Sequence, residues 1–349
     1  MELHLDTVAI VHRDYLFNVR SVRRVSDGRL VVMIAGSLSV LLLDSAGDSV
    51  GAFGRIGQGP GEFQSMTDLD TKGDSILILD ALARRVQLFH WNSLVATWSI
   101  REMAAVTPQQ VAFTPDGAPI VSAERRPPYE SVGIMRVARS TIEFRRVDEP
   151  GRVIETPVEV PGTETFQGRN ARGVFAALPA FAATAVYDLT RNGVIAADAR
   201  DGRVVSFSWD GEAGRELRPA SPPILVPEPE LDAFWDAVRT RARRRPDSEE
   251  YEAMAGALLE VWGGSVPRPF YSAIISDGSE ALIQHYSPQA TSEVVEWSLL
   301  GSHGETLGTF SLTRAVRLVS LQDREVVGVG LDPMDVEHLI ILRIRGGSG

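Results

Sequence analysis

Ser21-Val22-Arg23-Arg24-Val25, Leu30-Val31-Val32-Met33-Ile34-Ala35, Leu38-Ser39-Val40-Leu41-Leu42-Leu43-Asp44 and Val50-Gly51-Ala52-Phe53 follow one another with little between them. The first gap holds Ser26-Asp27-Gly28-Arg29 and the last holds Ser45-Ala46-Gly47-Asp48. The aliphatic, β-branched segments read as short strands. The Asp/Gly stretches read as hairpin turns, because those residues tolerate the positive φ that such turns need. The stretch is therefore an antiparallel meander of four strands.

The unit recurs. Gly73-Asp74, Asp116-Gly117, Asn192-Gly193, Asp277-Gly278 and Gln322-Asp323 each precede a run such as Ile76-Leu77-Ile78-Leu79, Val194-Ile195-Ala196-Ala197 or Val326-Val327-Gly328-Val329. Taken from Asp27, the first turns are spaced by about 46, 43, 76, 85 and 46 residues, against roughly 40–50 residues for one four-stranded propeller blade. Six blades then fill nearly the whole chain, and two spacings contain insertions. The expected fold is an all-β, six-bladed β-propeller of four-stranded antiparallel blades in one domain, residues 1–345, with a flexible tail at 346–349. Thr7-Val8-Ala9-Ile10-Val11 is left over and is expected to complete the last blade, so that the first and last strands share one sheet.

The first insertion runs from about Gly162 to Ala180 and reads as a long loop. The second, about 228–262, reads as helical and falls between blades 4 and 5. Leu231, Phe234, Trp235 and Val238 share one helical face, and Tyr251, Met254, Leu258 and Val261 share another after Pro246. Both insertions join an outer strand to the next inner strand, so both are expected to cap the same mouth of the channel. Binding groups concentrate on loops held by a rigid scaffold.

The chain has 349 residues, 44 % hydrophobic and 23 % charged, a composition that supports a packed core. A net charge of −11 argues against holding a nucleic-acid backbone. The absence of cysteine removes thiol catalysis, disulfides and iron–sulfur clusters. No apolar run is long enough to span a bilayer. Met1-Glu2-Leu3-His4-Leu5-Asp6 lacks the basic and apolar regions of a signal peptide, which leaves a cytoplasmic protein or one whose leader is missing.

Gly54-Arg55-Ile56-Gly57-Gln58-Gly59-Pro60-Gly61-Glu62-Phe63 is the most specific segment. With Asp80, Arg84-Arg85-Val86 and the C-terminal Asp332-Pro333-Met334-Asp335-Val336-Glu337, it resembles the bacterial 6-bladed beta-propeller family, which is related to NHL-repeat and TolB-like propellers. That resemblance implies an extracytoplasmic protein, in the periplasm or on the outer surface. It transfers no catalytic motif.

The glycine-rich segment lacks the Lys-Ser/Thr ending of a phosphate loop, and we read it as an inter-blade turn with Glu62 at the mouth. Arg84, Arg85, Arg125, Arg126, Arg169 and Arg172 are assigned to the same mouth, where they suit an anionic ligand or serve as solvated turn charges. His285 and Tyr286 begin a turn there. The six histidines show no i, i+4 metal spacing, and no Gly-x-Ser-x-Gly elbow occurs.

Two functions follow as expectations. The first is a non-enzymatic binding module without cofactor, a monomer holding a small anionic ligand, peptide, glycan or protein near Glu62, the arginines, His285 and Tyr286. The second, by analogy with NHL-like lyases and lactonases, is a metal-dependent hydrolase or lyase. It would hold a divalent cation such as calcium in the channel by Asp80, Asp198, His285 and Asp332. The structural reading of those aspartates is that they bond turn amides.

Overall fold

The computed structural model describes residues 1–349 except 14–15, 26, 128–135, 149–151, 171–172, 178–180, 218–222, 243–265, 288–292 and 347–349. Six antiparallel sheets radiate as the blades of a propeller. The first strand, β1 (Leu3–His12), belongs to the last blade. Blade 1 contains β2 (Val19–Arg24), β3 (Leu30–Ile34), β4 (Ser39–Leu43) and β5 (Ser49–Phe53). Blade 2 contains β6 (Met66–Lys72), β7 (Ser75–Asp80), β8 (Arg85–His90) and β9 (Ser93–Ser99), followed by a short 3-10 turn at Arg101–Met103. Blade 3 contains β10 (Thr107–Phe113), β11 (Pro119–Arg125), β12 (Arg136–Asp148), β13 (Arg152–Asn170) and β14 (Gly173–Ala177).

Blade 4 contains β15 (Ala185–Thr190), β16 (Gly193–Asp198), β17 (Val204–Ser208) and β18 (Ala213–Leu217). The helix α1 (Glu228–Ala242) follows and precedes blade 5, as the sequence predicts. Blade 5 contains β19 (Tyr271–Ser276), β20 (Ala281–His285), β21 (Val294–Leu300) and β22 (Thr306–Thr313). Blade 6 contains β23 (Val316–Gln322), β24 (Glu325–Leu331) and β25 (Glu337–Gly346), completed by β1. The closing strand is in register from Leu3 opposite Gly346 to His12 opposite His338.

The period of two along each strand explains the packing. Leu30, Val32 and Ile34 of β3 face blade 6, where they meet Val327, Val329, Leu339 and Ile341. Val31 and Met33 face blade 2, against Phe63, Leu69, Ile76 and Ile78. On β7 the next pair, Leu77 and Leu79, turns to blade 3. Each second strand is thus covered on both faces, so it reads as a continuous apolar run rather than an alternating one.

Blade 3 departs from the expectation. The stretch from Gly162 to Ala180 is no loop over its described part. It continues β13 to Asn170 and returns as β14, a fifth strand. Val153, Thr156, Val158, Val160, Thr163 and Thr165 favour extended backbone. Pro161 sits at a register shift of the β12–β13 pair, where a missing N–H is tolerated. Because β11 stops pairing at Thr141, the rest of this hairpin projects beyond blade 3 on the side of the second-to-third-strand turns. The inserted helix leaves blade 4 on that same side. The second helix expected after Pro246, and residues 347–349, lie outside the described residues, while Gly346 ends β25.

Candidate functional site

Glu62 closes the glycine-rich turn on itself. Its carboxylate accepts from the Gly59 N–H at 2.9 Å and from Arg55 Nε at 2.9 Å, and these bonds hold its pKa below the usual carboxylate range. Its carbonyl accepts from Arg85 at 2.6 Å and Gln87 at 3.0 Å. Arg85 also reaches the Gln58 carbonyl at 2.9 Å. Gly54 turns the chain into this segment at φ +88°, and a Cβ there would lie 2.8 Å from the Phe63 ring. Arg84 donates to the carbonyls of Met103 at 2.8 Å and Val106 at 2.6 Å. These three charged side chains join blade 2 to its flanking connections.

Asp80 is fully buried. It accepts from the amides of Gln64 at 3.0 Å, Ser65 at 2.9 Å and Ala83 at 3.3 Å. Asp198 pairs with Arg139 at 2.9 Å and accepts from the Arg200 amide at 2.9 Å. Asp332 accepts from the amides of Met334 at 2.8 Å and Val336 at 2.9 Å, which lowers its pKa. Asp198 and Asp332 thus bond amides of their own turns, and Asp80 ties its turn to the connection that precedes β6. Among the described residues, no three His, Asp or Glu side chains converge closely enough to hold a metal ion.

Arg125 pairs with Glu143 at 3.0 Å and Glu159 at 2.6 Å within blade 3. Arg126 is exposed just beyond the end of β11. Arg169 lies on β13 opposite Val174, with its side chain outside the described set, and Arg172 lies outside it entirely. The projecting hairpin and the helical insertion meet at Arg200. Its guanidinium pairs with buried Glu164 of β13 and donates to the carbonyls of Phe181 at 3.1 Å and Pro267 at 2.6 Å. Phe181 also stacks obliquely on Phe234 of α1, with ring centres 5.7 Å apart.

The structure brings His285 and Tyr286 together on a cavity of about 440 Å³ on this side of blade 5. Pro269, Phe270 and Val294 form its apolar wall, and Arg268 and Glu296 sit at its polar edge. Arg268 is paired with Glu230 at the start of α1, and its amide donates to the Ile224 carbonyl at 2.8 Å, so the two legs of the insertion frame the opening. His285 Nε2 lies 2.7 Å from the Ser298 hydroxyl and 3.8 Å from Glu296. Burial lowers the His285 pKa, and Glu296 opposes that only in part, so the ring is neutral at physiological pH. Burial raises the pKa of Tyr286, which stays a phenol.

Sequence reading passed over a charged network inside the channel. Arg23 of β2 lies 3.7 Å from Asp68 and 3.8 Å from Asp70 of β6, and it is also attracted to Asp188 of β15. Each carboxylate accepts from an amide of the next blade: Asp68 from Val111 at 3.1 Å, Asp70 from Phe113 at 2.8 Å and Asp188 from Ser276 at 2.7 Å. Asp70 and Asp188 stand two residues before the last paired residue of their inner strands, so they are equivalent positions of two blades. Burial pushes all three pKa values up, that of Asp188 to about 7, and Arg23 opposes it. Acids alternating along an inner strand, as in Asp68-Leu69-Asp70, are the signal that could have found this network.

No family model and no curated protein matches the chain. Solved structures do. A member of the duf4221 family from Bacteroides vulgatus is similar with a TM-score of 0.58 and 9 % identity, covering 99 % of this chain and 98 % of that one. A Bacteroides fragilis protein named as a candidate exported protein is similar with a TM-score of 0.53 and 11 % identity, covering 98 % and 95 %. Virginiamycin B lyase from Staphylococcus aureus is similar with a TM-score of 0.48 and 8 % identity, covering 98 % and 99 %. At such identities the likeness extends to the fold alone. The chain is a six-bladed β-propeller whose structural neighbours are bacterial propeller proteins.

Proposed function

We propose that this propeller is a binding module, and that it holds a peptide segment with an apolar side chain in the cavity beside His285 and Tyr286. The observation that carries the reading is the mixed lining of that cavity. An apolar wall of Pro269, Phe270 and Val294 faces hydrogen-bonding groups on His285, Ser287, Glu296 and Ser311. Pockets of this kind fix a ligand by burying its apolar body and orienting it through a few polar groups. The neutral imidazole favours a neutral polar group over a carboxylate at that point. Two fixed walls, blade 5 and the legs of the insertion, reduce the ordering cost of binding. A monomer acting outside the cytoplasm is part of the proposal, supported by the family resemblance and by the export name of one neighbour.

The test is titration with N-acetylated dipeptide amides carrying Phe, Leu or Val side chains, followed by calorimetry. At least one should bind, and His285→Ala and Val294→Asp should each abolish the heat while leaving the melting temperature unchanged. A panel that gives no heat, or binding that survives both substitutions, would overturn the proposal.

A further inference from the structure

The outer edge of blade 5 already takes an added strand at one end. The Thr309 amide of β22 points away from β21 and donates to the Met1 carbonyl at 3.0 Å, and Glu2 forms a parallel bridge with Thr309. Gly308 permits this approach, since a Cβ there would lie 2.5 Å from the Met1 carbonyl oxygen. The chain then leaves along β1 to pair with β25. Its departure opens a groove of about 530 Å³, with Leu3, His4 and Leu5 on one side and Thr309, Phe310 and Ser311 on the other. The β21–β22 pair keeps an unbroken register from Thr313 back to Gly308. Backbone direction alternates along an antiparallel ladder, so Ser311 and Thr313 turn their N–H and C=O outward as Thr309 does. Both residues are exposed, and no backbone group among the described residues meets those donors and acceptors.

This free edge is continuous with the His285 cavity, because Ser311 lines both openings. On the face that blade 5 turns to blade 4, a row of side chains crosses the sheet. Tyr271 pairs with His285, and Glu296 pairs with Ser311. His285 stands opposite Glu296, because the preceding Gln284 pairs with Trp297. Val294 lies on the same face opposite Thr313 and is 51 % exposed. The Glu296 side chain is 59 % exposed, and its one ion contact among the described residues is His285 at 3.8 Å. Ser311 and Thr313 are small, which leaves Glu296 and Val294 accessible over them from the edge.

We infer that the free edge of β22 adds an extended peptide as a fifth strand, with a Lys or Arg opposite Ser311 that reaches Glu296 and an apolar residue two positions away, opposite Thr313, that covers Val294. Main-chain hydrogen bonds to an exposed edge supply affinity in this mode, and alternate side chains supply specificity. Residues two apart on the added strand share a face, and Glu296 is two strand spacings, about 10 Å, from its backbone, within the joint reach of a lysine and a glutamate. The net charge of −11 also favours a cationic partner. The inference rests on the peptide reading of the His285 cavity and adds to it the seat of the backbone and the basic residue.

The probes are the acetylated pentapeptide amides Thr-Lys-Thr-Leu-Thr and Thr-Leu-Thr-Lys-Thr, one for each strand direction, titrated by calorimetry. One of them should bind about tenfold tighter than the acetylated leucine dipeptide amide, as one or two net backbone hydrogen bonds require. N-methylation of an amide that points at β22 should abolish binding, and N-methylation of the next amide should leave it unchanged. Ser311→Pro removes an outward donor that an edge strand tolerates losing, and it should erase the gain over the dipeptide. Glu296→Gln should weaken the lysine peptide about threefold and leave its norleucine analogue unaffected. Pentapeptides that bind no tighter than the dipeptide, or that accept N-methylation at every position, would overturn the added strand and leave the cavity reading standing. An equal effect of Glu296→Gln on the lysine and norleucine peptides would overturn the basic residue. Loss of all binding, dipeptides included, would overturn both readings.

Discussion

Replacing Asp188 by Asn should flatten part of the pH dependence of stability. Burial raises the Asp188 pKa from the ordinary 3.8 to about 7, against the attraction of Arg23. The folded protein then holds a proton that the unfolded chain has released. Its contribution to stability is fully present below the unfolded pKa and is lost as pH rises through the folded one. The whole difference amounts to about 4 kcal/mol, of which about 3 kcal/mol is lost between about pH 5 and pH 8. Asparagine keeps a carbonyl oxygen for the Ser276 amide, 2.7 Å from the present carboxylate, and carries no charge. Asp68 and Asp70, also raised by burial, slope the same way in both proteins and largely cancel in the comparison. Urea unfolding monitored by tryptophan fluorescence measures the difference directly. The variant should already be the more stable by about 1–2 kcal/mol at about pH 5, and by about 4 kcal/mol at about pH 8. Parallel profiles across that window, or a variant less stable at the alkaline end, would refute the argument.

Other substitutions probe the rest of the frame. Asp80→Ala leaves the buried amides of Gln64, Ser65 and Ala83 without their acceptor, and calorimetry should show a loss of about 3 kcal/mol. Gly54→Ala forces a side chain into the left-handed region and against the Phe63 ring, and should cost about 2 kcal/mol by the same assay. Arg200→Ala removes the partner of buried Glu164 and should cost about 3–5 kcal/mol, with faster hydrogen exchange at Ala183, whose amide bonds that carboxylate.

The blades were legible because their turns are chemically local. Asp27-Gly28, Asp116-Gly117 and Asp277-Gly278 mark hairpins within a few residues, whatever the rest of the chain does. Thr7–Val11 was legible by elimination, as a strand without a hairpin partner nearby. The strand from Gly162 to Asn170 was not, since Pro161, Gly162 and Gly168 look like loop residues until β12 is there to pair with them. The channel network was hidden for a related reason. The amides that donate to Asp70 and Asp188 lie 43 and 88 residues further on, in the neighbouring blade. The sequence places His285 and Tyr286 in a turn on the insertion side, but the cavity beside them was not legible, because Arg268 and Phe270 gain their meaning only from the path of the insertion.

Closure of the ring by β1 against β25 has a consequence for the order of events during synthesis. The strand made first finds its partner only when the strand made last emerges, because Leu3 pairs with Gly346 and His12 with His338. Five blades can assemble from contiguous chain while β1 waits, its hydrogen-bonding edge unsatisfied and open to the wrong partner. A contact of such high sequence separation is slow to form. A polypeptide stalled or cut before Glu337 therefore carries nearly all of the propeller's sequence and none of its clasp, and it is this unclosed ring, rather than a short fragment, that quality-control proteases and chaperones would have to recognise.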